Sequence, residues 1–518
     1  MSLFGVIMRK GAQLGAKVDE FRLSDSILQE RQLLSLLRKG QFTAFGREFQ
    51  FTQLLLRQNV QDAFRTSVPA FDYNQLYKDW WSQARLCDTP SVCWPGKIPY
   101  YALSSGTSQA ASKYIPVTDD ILRGMKRASR RMFCDMATFN LPPDVFSRHM
   151  LMVGSSTAIR QEGRHFVGDL SGILGQNRPL WLERYYRPGR HITNLPDWND
   201  RMNHIAEEAP RWDIGFIVGN PMWVQLIFER MLERHRVPTV HHIWPNLTML
   251  VHGGVFFEPY RPSLERCLDR PLVYVDSYMA SEGFFGYQDR QDTRDLRLLP
   301  DCGVFYEFIP FDEDNFDDEG NMRSAFPKAL LLDEVEEGVQ YALLISTSAG
   351  AWRYLLGDTV QFTNLSRFEY RLTGRTKQFL SVCGEHLSID NLNHAVEAAD
   401  AEVDARIREF AVAGLREGSM WAHHWYVSSD NPDLKPEALR DCLDKALAKL
   451  NDDYAIERQF ALHNIYIDIL PQSAFMGWMA QRGKLNGQAK VPRVLKGTQL
   501  HDFQQFVQQT KPPSGLNA

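Results

Sequence analysis

Between residues 150 and 310 short apolar runs alternate with helical patterns, and each run breaks at glycine or at residues able to carry chemistry. The runs at 151–153, 214–218, 247–251, 271–275 and 304–309 suit buried strands rather than helices. After the second of them, Gly219-Asn220-Pro221 supplies a helix N-cap followed by proline at the first helical position. The alternation predicts an α/β body whose working side chains sit at strand ends. Gly253-Gly254 closes the third run, residues 278–282 follow the fourth, and an acidic stretch at 312–319 lies beyond the fifth.

At 518 residues the chain exceeds one ordinary hydrophobic core, so more than one domain is expected. Residues 20–60 read as helical, carrying Leu28, Leu33, Leu34, Leu36 and Leu37 in a polar background. The run at 98–103 enters a Ser/Thr/Gly loop, after which Val117-Thr118-Asp119-Asp120 predicts a helix start through Met132. Strands are expected at 341–346 and 359–363, on either side of Trp352-Arg353-Tyr354-Leu355-Leu356-Gly357-Asp358, with a Gly374-Arg375-Thr376-Lys377 turn after them. Beyond that turn the pattern restarts as a smaller α/β unit, with helices near 390–409 and 436–450 and strands near 424–428 and 462–470. The expected division is a large N-terminal domain over 1–376 and a small C-terminal domain over 377–518.

A balance of 58 basic against 63 acidic side chains carries no polyanion footprint, so no nucleic-acid partner is implied. Seven cysteines, scattered at 87, 93, 134, 267, 302, 383 and 442 without metal-type spacing, favour a reducing compartment such as the cytoplasm. Residues 1–16 fit neither a signal peptide nor a membrane span, and an amphipathic docking helix is expected there. There is no G-x-x-x-x-G-K-[ST], no G-x-G-x-x-G, no H-E-x-x-H and no G-x-S-x-G. Gly106-Thr107-Ser108-Gln109-Ala110 falls one glycine short of a nucleophile elbow. The acidic stretch departs from calcium-loop spacing and reads as a solvated turn. His241 and His242 lack a third ligand and read as structural, and Trp223, Phe256 and Phe257 as packing residues.

What remains is a series of polar islands in the order of a nucleotide site. Ser104-Ser105-Gly106-Thr107-Ser108, followed by Lys113, gathers hydroxyls, a flexible glycine and a cation, which suits phosphate. Tyr278 can stack on a purine, Glu282 can hold Mg2+ through its oxygens, and Asp358 can accept ribose hydroxyls. Lys113 and Lys490 could neutralise charge on phosphate oxygens. Each has a plainer use: a core aromatic, a helix-start carboxylate, a turn residue beside Gly357, a solvated lysine.

With those residues in that order the chain resembles the adenylate-forming superfamily of acyl-CoA synthetases, peptide-synthetase adenylation domains and luciferases. More closely, it is similar to the Gretchen Hagen 3 family of acyl acid amido synthetases. The hydroxyl loop with Lys113 resembles that family's phosphate loop, Tyr278-Met279-Ala280-Ser281-Glu282 its second motif, and the stretch with Thr347, Gly350, Arg353-Tyr354 and Gly357-Asp358 its third. Gly487-Gln488-Ala489-Lys490-Val491-Pro492-Arg493 resembles its late lysine segment, and Gly374-Arg375 through Gly384-Glu385 the superfamily's hinge. Ala110 stands where plant loops carry a second glycine.

The resemblance implies ATP and Mg2+ as cofactors, with Ser104, Ser105, Gly106, Thr107, Ser108 and Lys113 at the phosphates. Tyr278 would lie on adenine beside Gly253, Gly254, Ala280 and Ser281, Glu282 would bind the metal, and Asp358 would hold the ribose. Arg375 would lie near the ribose or phosphate, and Lys490, or nearby Lys484, would bridge the acyl carboxylate and the α-phosphate. The implied reaction adenylates a small carboxylic acid, then transfers the acyl group to an amino acid or other amine, while a mobile C-terminal domain rotates between the steps. Transfer to a thiol, or nucleotide binding without catalysis, stays open from the residues alone.

Overall fold

The computed structural model describes residues 24–510 except 105–112, 143, 155, 179, 318, 319, 378, 381, 384, 386, 418, 419, 452, 453, 456, 459–461 and 483–489. Two compact units divide the chain. One runs to Gly254 and resumes over Cys267–Leu372; the other takes Val255–Arg266 together with the chain from Thr373 onward. Among the described residues no helix is long and apolar enough to cross a membrane.

In the first unit, helix α1 (Asp25–Gly40) buries Leu33, Leu36 and Leu37 at helical spacing. The helix predicted over 20–60 breaks at Gly40. Gly46 packs so closely that a Cβ there would lie 2.1 Å from the Gly40 carbonyl oxygen, and a Cβ on Gly40 would meet the Trp352 ring at 2.6 Å. Short helices Ala44–Glu48, Phe51–Leu54 and Val60–Ser67 then wrap Phe45, Phe51 and Phe64 around Trp352. Strands β1 (Tyr100–Ser104) and β2 (Lys113–Val117) form an antiparallel hairpin in which Ser104 faces Lys113 across the ladder. Helix α2 (Asp119–Met136) follows, with Thr118 as its N-cap accepting from the Ile121 N–H at 3.2 Å.

An eleven-stranded sheet dominates this unit. Strands β3 (His149–Val153), β4 (Ile214–Gly219), β5 (Met249–Gly253) and β6 (Val273–Ala280) are parallel neighbours. Asn220 caps α3 (Pro221–His235) after β4 by accepting from the Met222 N–H, as the sequence predicts. From β6 the sheet turns antiparallel through β7 (Gly283–Tyr287). It continues through Leu296–Leu298 to β11 (Glu369–Arg375), β10 (Tyr354–Asn364), β9 (Gln340–Thr347) and β8 (Val304–Pro310). The acidic stretch is a turn in which Asp312 and Asp317 accept from the backbone N–H groups of Asn315 and Asn321. His241 is buried, its Nε2 3.1 Å from the Leu247 carbonyl oxygen.

In the second unit, helices α4 (Ile389–Val403), α5 (Pro436–Leu450), α6 (Gln472–Gln481) and α7 (Gly497–Thr510) accompany the strands β12 (Ile407–Glu417), β13 (Met420–Ser429) and β14 (Leu462–Ile469). β13 lies between an antiparallel β12 and a parallel β14. The helix expected to 409 stops early, because Asp404 adopts a left-handed φ of 48° and the chain from Ile407 becomes β12.

Candidate active site

The parallel strands β5 and β6 converge on Gly253-Gly254. Gly253 pairs with Ser277, and a Cβ on Gly253 would fall 2.2 Å from the Ser277 carbonyl oxygen, so no larger residue fits. Gly254 turns the chain with φ +86°, a conformation open to glycine.

Two carboxylates and two tyrosines then cross-pair. Tyr278 on β6 donates its hydroxyl hydrogen bond to Asp358 on β10. Tyr354 on β10 donates to Glu282, in the turn after β6, at 3.3 Å. Each segment supplies a tyrosine and, four positions on, a carboxylate, and each tyrosine serves the other segment's carboxylate. Three strands lie between β6 and β10 in the sheet order, so the sheet curls strongly to bring them together. Irregularities in the ladders aim the groups. An extra residue, Phe285, bulges β7 so that Gly286 faces Tyr278, and β10 bulges between Leu355 and Thr359, where Gly357 has φ +89° and Asp358 follows it. The Tyr278 ring is 7% exposed, with its centroid 4.9 Å from that of Phe285, while Ser281 and Glu282 are also buried.

Sequence reasoning missed the neighbours of this group. Asp276 shares a face of β6 with Tyr278, and His252 on β5 faces it, Nδ1 to Oδ1 at 3.4 Å. Burial pushes the Asp276 carboxyl up to about 7, against a lowering contribution from the Ser277 N–H. A Cβ on Gly286 would lie 2.5 Å from the Tyr370 hydroxyl oxygen. That hydroxyl is buried without a hydrogen-bond partner among the described residues, and burial, followed by the charges of Asp276 and Asp358, raises its pKa well above 10.0. The only sequence signal for Asp276 was its spacing, two residues before Tyr278 on an alternating strand.

Of the hydroxyl loop, Ser104 and Lys113 are fixed opposite one another at the hairpin's open end, and Ser105, Gly106, Thr107 and Ser108 lie outside the described residues. Lys113 Nζ stands 5.1 Å from the centre of the Tyr73 ring, whose hydroxyl accepts from the Tyr114 N–H at 2.8 Å. In the third motif, Arg353 is internal. Fully buried, it pairs with Glu307 at 2.8 Å and donates to the carbonyls of Arg65 and Val68, both at 2.6 Å. Gly350 turns beside it with φ +79°, and Trp81 donates to its carbonyl at 3.2 Å. Phe257 is buried and Trp223 stacks edge-on against Trp198, consistent with packing.

Arg375 and Lys490 belong to the second unit, Arg375 as the last residue of β11 and Lys490 exposed in the stretch before Val491. Lys484 lies outside the described residues. In the hinge-like stretch, Glu385 accepts from the backbone of Val382 and Cys383 and contacts His423 Nε2 at 2.8 Å, both side chains fully buried.

Among the described residues there is no cluster of three or more His, Cys, Asp or Glu side chains that could cage a metal. Glu282 offers a hard oxygen donor beside Tyr354, which suits an ion that keeps waters and takes its other ligands from phosphate. The arrangement provides two glycines at the end of β5, an aromatic, and two preoriented carboxylates, one in the turn after β6 and one at the β10 bulge.

Three family models match the chain: the GH3 family N-terminal domain over residues 17–163, the central domain over 297–369 and the C-terminal domain over 390–499. The chain is 29% identical over 182 residues to an Arabidopsis thaliana protein named indole-3-acetic acid-amido synthetase GH3.2, a match that spans 32% of each. Its fold is similar to the solved GH3.15 acyl acid amido synthetase, with a TM-score of 0.76 at 15% identity over 95% of both chains. It is also similar to a 2-hydroxyisobutyryl-CoA ligase in a postadenylation state, with a TM-score of 0.59 at 12% identity over 94% of this chain and 91% of that one.

Proposed function

Because the chain belongs to the GH3 family, we propose that it adenylates a small carboxylic acid with ATP and passes the acyl group to the amine of an amino acid. The cross-pairing of Tyr278 with Asp358 and of Tyr354 with Glu282, which joins the C-terminal end of β6 to the start and the bulge of antiparallel β10, carries this reading. A carboxylate is a poor electrophile because hydroxide must leave it. Attack of a carboxylate oxygen on the α-phosphorus breaks the bond to the bridging oxygen, expels pyrophosphate, and leaves AMP as the new leaving group.

In this reading Tyr278 meets the purine, Asp358 accepts from the ribose hydroxyls, and Gly253-Gly254 lets the base lie against backbone. Ser104, Ser105, Gly106, Thr107, Ser108 and Lys113 grip the departing phosphates. Glu282 holds Mg2+, which screens the triphosphate charge. Lys490, carried by the smaller and mobile unit, offsets the charge that builds on the α-phosphate and acyl oxygens, and Arg375 supports the ribose or phosphate. The acceptor amine, once deprotonated, attacks the acyl carbon; the amide forms and AMP leaves.

ATP–pyrophosphate exchange against a panel of indole-3-acetate, jasmonate, benzoate and acetate, followed by product analysis with amino acids and with coenzyme A, tests the assignment. Exchange and an amide product are expected. Thioester with no amide would replace the second step, and ATP binding without exchange across the panel would overturn the first. Lys490→Ala should lose most exchange while its ATP affinity stays close to the parent's.

A further inference from the structure

The segment Val255–Arg266 leaves Gly253-Gly254 and packs into the unit that carries Lys490. Its anchor is a buried cluster. Arg493 donates to Glu409 and to the Phe410 carbonyl at 2.9 Å, its guanidinium lies 4.2 Å from the Phe410 ring centre, and it reaches the Tyr260 hydroxyl at 3.4 Å. Tyr260 in turn donates to the second oxygen of Glu409 at 3.1 Å. Tyr260 and Glu409 are both 3% exposed. Further along, Arg266 pairs with Asp430 at 2.5 Å, and Arg408 pairs with the same carboxylate.

The cluster holds more than a side chain. The Arg493 carbonyl accepts from the Val412 N–H at 2.8 Å, and Leu495 returns an N–H to the Val412 carbonyl at 2.8 Å, so this stretch is pinned to β12 on both sides of Val494. Between Arg493 and Lys490 stand only Pro492 and Val491. Proline fixes its own φ and restricts the residue before it, so the tether is stiff, and three residues reach at most about 10–11 Å. A buried ion pair is a weak stabiliser beside an apolar replacement of equal volume. Its use here is to fix one backbone geometry.

We infer that Tyr260, Glu409 and Arg493 form a positioning triad that sets the backbone of Lys490 for adenylation. The inference rests on the role given to Lys490 under the proposed function.

The test uses the full-length chain with whichever panel acid gives the parent its highest pyrophosphate exchange. Glu409→Gln and Arg493→Lys should lower the exchange kcat by about 10–100-fold, as expected for a misplaced catalytic group, while the KM for ATP changes by less than about threefold. Tyr260→Phe, which keeps the ring and removes one hydrogen bond, should lower it by roughly three- to tenfold. Conversion of chemically prepared acyl adenylate to amide should stay within about threefold of the parent, because the attack on the α-phosphorus that Lys490 serves is already complete. Parental exchange in all three variants, with Lys490→Ala inactive, would overturn the triad alone. So would an equal loss in both half-reactions, which marks a purely structural role. Parental exchange in Lys490→Ala, or a parent that exchanges with no acid in the panel, would overturn the reading on which the triad depends.

Discussion

The hydroxyl of Tyr278 donates to the carboxylate of Asp358 across 80 positions of sequence, and Tyr354 returns the same service to Glu282 across 72. Both carboxylates are therefore aimed before any ligand arrives, which lowers the ordering cost of binding. Tyr278→Phe should raise the ATP dissociation constant about three- to tenfold through loss of one charge-assisted hydrogen bond. Asp358→Ala should weaken ATP by more than about tenfold. Calorimetric titration of ATP into the two variants and their double mutant checks the coupling; strictly additive effects would show that Tyr278 acts on ATP independently of Asp358.

Tyr354→Phe should act on the metal instead. Glu282 loses its phenolic partner while the ring and the strand persist, so the Mg2+ concentration for half-maximal exchange should rise by about two- to fivefold at saturating ATP. An unchanged Mg2+ requirement would separate Tyr354 from the metal site.

Arg353 makes a different kind of prediction. Its guanidinium fills a wholly buried slot, bonding Glu307 and two carbonyls that follow the helix Val60–Ser67 or end it. Burial raises the Glu307 carboxyl pKa, and the arginine opposes that rise. Arg353→Met strands this carboxyl and should cost about 3–5 kcal/mol, whereas Arg353→Met with Glu307→Leu should recover much of the loss. Chemical denaturation of the four proteins measures it.

The strand ending at Gly253 was legible from its short apolar run closed by glycine, whereas β6 runs on past the expected 275 to Ala280 and takes in Tyr278, and β10 starts at Tyr354, so that 354–358, expected between two strands, lie within it. What could not be read was which end meets which. Tyr278 and Asp358 come together through the curl of a sheet, which no local pattern encodes. Arg353 looked like part of a nucleotide motif, yet its partner Glu307 lies 46 residues earlier. The same applies to Tyr260, whose partner Glu409 is 149 residues away and whose neighbours give no sign that Val255–Arg266 leaves the large unit. The helix expected to 409 was overextended because the alanine-rich run at 395–405 favours helix; left-handed Asp404 and Arg406, at φ 48° and 47°, end it before β12 begins at Ile407.

Asp276 should make stability fall as pH rises. Its folded carboxyl titrates at about 7 against an ordinary 3.8, so the folded chain holds a proton that the unfolded chain has released. The favourable contribution is complete below about pH 4 and is lost as pH climbs through 7. With 35% of its side chain open to solvent, the effect is discounted to about 1–2 kcal/mol. Asp276→Asn should match the parent near pH 4 and melt higher than it at pH 8; a gap independent of pH would exclude this titration.

Glu385 should give the opposite slope. Burial raises its pKa, but the hydrogen bond and charge of His423 and the N–H groups of Cys383 and Val382 outweigh that and hold it at about 2, against an ordinary 4.5. The folded carboxylate therefore sheds its proton where the unfolded one keeps it. Its contribution is complete above about pH 4.5 and disappears as pH falls through about 2. At neutral pH this is of the order of 2–3 kcal/mol. The His423 contact fastens the hinge-like stretch to β13, and the Val382 and Cys383 bonds with the paired Leu380 and Leu387 close the stretch on itself, so the loss should appear in the second unit. Glu385→Gln should destabilise that unit at pH 7, followed through the buried Trp425, and the difference should shrink as pH falls from 4.5 toward 2. A difference that stays constant across that window would mean that Glu385 is held by shape, and not by its charge.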